Sequence, residues 1–101
     1  MTGVAVISGE GLVIDQALGP QADSEALAAL ATTLFRHAGE LGLAAAQGPL
    51  RTAVLEYGAG PVIVAGLPDG AALVLLARPE VDLGELLYLV RRQRGAIAEL
   101  L

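Results

Sequence analysis

The chain opens on two short apolar runs, Gly3-Val4-Ala5-Val6-Ile7-Ser8 and Leu12-Val13-Ile14-Asp15-Gln16-Ala17, separated by Gly9-Glu10-Gly11. Two β-branched runs around a glycine-containing turn predict a hairpin. Successive side chains of a strand point to opposite faces, so Val4 and Val6 face one way and Ala5 and Ile7 the other. Both faces are apolar, and the first strand is therefore expected to be central and covered on both sides.

Between Pro20 and Gly42 the period lengthens. Leu27, Leu30, Ala31, Leu34, Phe35, Ala38 and Leu41 recur at helical spacing, which predicts one long helix with a single apolar stripe. Asp23 or Ser24 is the expected N-cap, Glu25 suits the positive end of the dipole, and Gly42 is the expected stop. The opposite side carries Ala29, Thr33, Arg36, His37 and Glu40, small at one end and charged at the other.

From Leu50 the pattern reads as a meander. Arg51–Tyr57 is one strand, closed by Gly58-Ala59-Gly60-Pro61, and Val62–Leu67 is the next. Pro68-Asp69-Gly70 closes that strand, with Pro fixing φ and Gly supplying a positive φ, and Ala71–Ala77 follows. Pro79 ends it. Asp82 with Glu85 three residues on resembles a capping box for a last helix, whose stripe is Leu83, Leu86, Leu87, Val90, Ile97 and Leu101. The expectation is one α+β domain over residues 1–101, with five strands and two helices. Strands joined by tight turns must run antiparallel.

Composition adds a surplus. The hydrophobic fraction is 54% and the charged fraction 17%, against about 45–50% and 25% in ordinary domains. Apolar surface left over after a core is built usually serves subunit or partner contacts. The net charge of −5 argues against nucleic-acid binding, which needs a basic footprint. Cysteine is absent, which excludes disulfides, thiolate metal sites and thiol nucleophiles. No basic n-region precedes the first apolar run, and no apolar run reaches membrane-spanning length, so the expected location is cytoplasmic, with no membrane partner.

Catalytic chemistry has little to stand on. His37 is the one histidine, with no second imidazole to share a metal, and reads as an exposed helix residue or an interface contact. Gly9-Glu10-Gly11 and Gly58-Ala59-Gly60 lack the spacing and the lysine of a phosphate loop and join strands instead of opening a helix. No catalytic, cofactor-binding or metal-ligating residues are assigned, and an enzyme is not expected. Among Arg91, Arg92 and Arg94, Arg92 points away from the apolar stripe. Arg94 falls within it, so that it snorkels, pairs with an acid, or marks where the stripe meets a partner. Ala29 and Thr33, four apart on the outward side of the first helix, allow close helix–helix approach.

Taken in order, Val4-Ala5-Val6-Ile7-Ser8-Gly9-Glu10-Gly11-Leu12, the Ala-rich helix ending Glu40-Leu41-Gly42, the meander through Leu67-Pro68-Asp69-Gly70-Ala71-Ala72-Leu73-Val74-Leu75, and Asp82-Leu83-Gly84-Glu85-Leu86 resemble the roadblock/dynein light chain superfamily. The resemblance implies a roadblock/profilin-like antiparallel sheet of order 2-1-5-4-3; the chain departs from the family pattern in that Met1 leads almost directly into the first strand, where a helix usually comes before it. It implies a homodimer through the first long helix and the strand after it, here through Ala29, Thr33, Arg36, His37, Arg51, Ala53 and Leu55. It also implies a small Ras-like GTPase as partner and no cofactor. The alternative is a small-molecule sensor on the same sheet, for which Thr52, Glu56 and Tyr57 are the one polar cluster on offer.

Overall fold

The first apolar run forms β1 (Gly3–Ile7) and the second β2 (Val13–Ala17), paired antiparallel. The computed structural model describes residues 2–100, and the side chains of residues 2–93. The hairpin register shifts between Val6 and Ile7, leaving Ile14 as an extra residue on β2, a bulge that bends this edge. The remaining elements are α1 (Ser24–Ala44), β3 (Thr52–Tyr57), β4 (Gly60–Gly66), β5 (Ala72–Leu76) and α2 (Leu83–Leu100). The five strands form one sheet of order β2-β1-β5-β4-β3, antiparallel throughout. This is the implied order, with β1 inside the sheet as its two apolar faces require.

The register explains how the core divides. Ala5, Val74 and Val64 are cross-strand partners, as are Val4, Leu75 and Ile63 one step along. The first row lies under α1, packed with Ile7, Ala28, Ala31 and Ala72. The second lies under α2, packed with Ala65, Leu73, Leu86 and Val90. The sheet thus has one helix on each face.

Asp23, and not Ser24, caps α1: its Oδ1 accepts from the Ala26 backbone N–H at 3.1 Å. Asp23→Ala is expected to lower stability by about 1 kcal/mol, read as a shift of the urea midpoint at constant slope. Asp82 plays the same part for α2, accepting from the Glu85 N–H at 3.1 Å.

Two helix expectations need correction. α1 does not stop at Gly42 but continues to Ala44. Gly42 serves a close approach instead, because a Cβ there would lie 2.9 Å from the Gly48 carbonyl oxygen. Nor do Leu30 and Leu41 belong to the buried stripe. They are 68% and 70% exposed, whereas Ala28 and Ala31 are buried and Phe35 is half-buried. Small residues at the contact let the helix sit low on the sheet. The buried arc is then narrow, and Leu30 and Leu41 fall roughly a third of a turn from its centre. In the Pro68–Gly70 turn the left-handed backbone includes Asp69 as well as Gly70. Arg94, Ile97 and Leu101 have side chains outside the described residues.

Candidate interaction surface

The sheet has two open edges, and they differ. β2 is interrupted by its bulge and carries Asp15, both devices that discourage strand addition. β3 pairs with β4 in unbroken register from Thr52–Ala65 to Tyr57–Gly60. Its outer side is therefore a regular row of backbone donors and acceptors, the kind of edge that accepts another strand. Arg51 stands exposed just before it. Ala53 and Leu55 are half-buried in the core cluster under α1, so they offer this edge backbone groups and not side chains.

Above the sheet, α1 turns a mixed face to solvent. Ala29, Thr33, Arg36 and His37 all reach solvent along it, as expected. The Thr33 hydroxyl donates to the Ala29 carbonyl at 3.0 Å, which satisfies it within the helix and leaves a low, nearly apolar strip. His37 Nδ1 lies 3.4 Å from Glu40 Oε2 one turn on. The missed residues are Leu30 and Leu41, which flank this strip. Thr32 marks the opposite flank, since a Cβ on Gly11 would meet its Oγ1 at 3.3 Å. The leucine flank thus faces away from the β1–β2 turn. Leu34, on the same flank, joins Leu55 of β3 and Val62 of β4 in the core.

The polar trio singled out for small-molecule chemistry does not come together in the structure. Among the described residues no three His, Asp or Glu side chains are placed to hold a metal ion. Thr52 and Glu56 share one face of β3, while Tyr57 points to the other, so this trio does not converge. Two concavities stand out among the described residues. A groove of about 540 Å³ beside α2 is lined by Val4, Leu73, Leu75, Leu86, Leu89 and Val90, with Asp82, Glu85 and Gln93 at its rim. A smaller one, about 360 Å³, lies between the α1–β3 loop and α2 and includes Arg51, Thr52 and Arg91. No helix among the described residues is long and apolar enough to cross a membrane.

The family model of the Roadblock/LC7 domain matches residues 1–77. Among solved structures, Myxococcus xanthus MglB superposes with a TM-score of 0.89 at 15% identity, over 98% of this chain and 81% of that one. A Roadblock/LC7 domain from Streptomyces avermitilis gives 0.79 at 27% identity, over 95% and 84%. The gliding protein MglB from Thermus thermophilus gives 0.81 at 19% identity, over 96% and 75%. No curated protein matches significantly.

Proposed function

This chain belongs to the Roadblock/LC7 domain family, and from that premise we propose that it is a non-catalytic, homodimeric regulator or scaffold of a small Ras-like GTPase in the cytoplasm. The observations that support the reading are the regular register of the terminal strand β3 and the exposed leucines Leu30 and Leu41 on the outward side of α1. Two copies related by a two-fold axis would join their β3 edges into one sheet and set their α1 helices side by side. Arg51, Ala53 and Leu55 supply the strand contact, and Ala29, Thr33, Arg36 and His37 the helix contact. The whole chain acts as one domain, and the face formed by the paired helices receives the GTPase.

An activator works either by inserting an arginine beside the transferred phosphate or by ordering the GTPase's own switch residues. Arg36 and Arg51 are occupied at the dimer contact in this reading, and Arg91 and Arg92 sit within α2. Arg78 alone lies in a loop, the turn between β5 and α2, where the Val81 N–H bonds its carbonyl at 3.2 Å. We take the action to be conformational, a clamp on a switch segment.

The test combines the purified chain with each small Ras-like GTPase of its own genome. GTP turnover is expected only in the mixture, never with the chain alone. Arg78→Ala, Arg91→Ala and Arg92→Ala are each expected to change stimulated hydrolysis by a few-fold, in step with affinity. A fall of about 10³-fold with binding intact would replace the clamp by an arginine finger. Failure to bind any such GTPase would remove the partner from the reading.

A further inference from the structure

The two faces of β1 are not sealed alike. On the α1 side Ala5 and Ile7 are 1% and 0% exposed, whereas Val4 and Val6 on the α2 side are only half-buried. The reason is where α2 sits: Leu86 and Val90 pack with Ile63 and Ala65 of β4 and with Leu73 and Leu75 of β5. The groove of about 540 Å³ runs along the flank this leaves, with Val4, Leu73 and Leu75 as its floor and Leu89 on its α2 wall. Beyond Val4 and Val6 the same sheet face continues onto β2, where their cross-strand partners Ala17 and Asp15 are exposed. The result is a trough two strands wide, over β1 and β2.

Its width and its charge specify an occupant. Neighbouring strands lie about 4.8 Å apart, so the strip is about 10 Å across, the diameter of one α-helix. Both banks are acidic. Asp82 and Glu85 stand on the α2 bank, and Asp15 stands on the β2 bank, where its carboxylate accepts the Gln16 N–H at 2.8 Å. Among the described residues no arginine lines the groove, and none of these three acids has an ion-pair partner. Such banks repel phosphate and anionic lipid and attract cations. The bulge in β2 keeps an added strand off that edge.

We propose that this trough is a docking site for an amphipathic α-helix of another protein, one whose apolar stripe is flanked on both sides by Lys or Arg. The stripe covers Val4, Val6 and Leu89, while the flanking cations meet Asp15 on one bank and Asp82 and Glu85 on the other. The site lies on the opposite face of the sheet from α1 and rests on no part of the GTPase reading. A chain engaged through α1 therefore keeps this face open to a second partner.

The probe is a synthetic helical peptide with leucines at i, i+3, i+4 and i+7 and lysines on both flanks of that stripe, titrated into the full chain. Methyl NMR locates it and fluorescence anisotropy gives its affinity, in about 0.15 M salt, where charges more than about 8 Å apart are largely screened. The peptide is expected to bind saturably and to shift the methyl signals of Val4, Val6, Leu75 and Leu89, and its glutamate-flanked isomer to bind at least tenfold more weakly. Asp15→Arg with Glu85→Arg is expected to weaken binding about tenfold or more, the neutral pair Asp15→Asn with Glu85→Gln about threefold, and Leu89→Gln about fivefold. All three positions are exposed, and circular dichroism checks that the variants fold. Glu25→Arg with Glu40→Arg, the same change of charge placed on α1, is expected to leave the affinity within twofold, as is Ala29→Arg. Methyl signals that do not move overturn the proposal, and so does an α1 charge control that weakens binding as much as the trough pair, because the attraction is then net charge alone. Dodecylammonium binding at the same methyls as tightly as the peptide would also overturn it, in favour of a small amphiphile.

Discussion

Gly60→Ala is expected to lower the stability of the domain by about 3–5 kcal/mol, and the thermal midpoint by about 15 °C or more. Gly60 opens β4 with φ of +129°, a conformation open essentially to glycine alone. The space is closed as well. A Cβ would overlap the Ala77 carbonyl oxygen and stand 2.8 Å from that carbonyl's carbon and 3.0 Å from the Arg78 carbonyl carbon. All three obstacles are backbone, so no side-chain rotation relieves them. Relief requires β4 to move off the end of β5, where the Ala77 N–H bonds the Pro61 carbonyl at 3.1 Å. The substitution therefore combines strain with loss of a hydrogen bond that ties the sheet to the turn before α2. Gly58→Ala is the control: a Cβ there meets nothing within 4 Å, and a change within about 0.5 kcal/mol is expected. Urea unfolding of the two variants side by side separates them. A Gly60→Ala protein as stable as Gly58→Ala would show that the β4–β5 junction is free to shift.

The strands are legible in the sequence because their signals are local. Val4-Ala5-Val6-Ile7 is apolar on both faces, and a strand with two apolar faces must lie inside a sheet with cover on each. Pro68-Asp69-Gly70 and Gly58-Ala59-Gly60 fix turns by backbone chemistry that needs no tertiary context. The strand order is not readable in this way. It comes from resemblance, since pairing β1 with β5 depends on contacts between distant positions. The candidate surface is half legible. Ala29, Thr33, Arg36 and His37 fall on the outward side of α1 by helical spacing alone. Periodicity assigns Leu30 and Leu41 to the core because it finds an apolar arc without fixing its centre. That centre is set by how closely the helix sits on the sheet, which here depends on Ala28 and Ala31 packing against Ala5, Ile7 and Val74. The groove beside α2 is hidden for the same reason: Leu89 reads as one more leucine of a leucine-rich helix until Leu86 and Val90 are seen to fill the core contact.

The clearest consequence of the α1 and β3 reading lies at those leucines. Leu41→Arg and Ala29→Arg are each expected to weaken the homodimer at least 100-fold, leaving a folded monomer. Leu41 is 70% exposed on the outward side of α1, so in this reading the substitution removes apolar burial of roughly 1.5–3 kcal/mol for each leucine covered. A two-fold contact contains every residue twice, and two such losses together exceed the 2.8 kcal/mol or so that corresponds to a 100-fold change. Ala29 acts sterically instead. Arginine on the low strip holds the helices apart and places two like charges near the axis, at no cost to a core that Ala29 does not enter. Both are measured against wild type, whose particle in this reading should have twice the 10.2 kDa chain mass. Sedimentation equilibrium then gives the dissociation constant, and circular dichroism confirms that the monomer keeps its fold. Loss of GTPase binding along with the dimer would place the partner on the paired α1 helices. Retention of binding by a monomer would place it on one chain alone, and a dimer unmoved by either arginine would remove α1 from the interface.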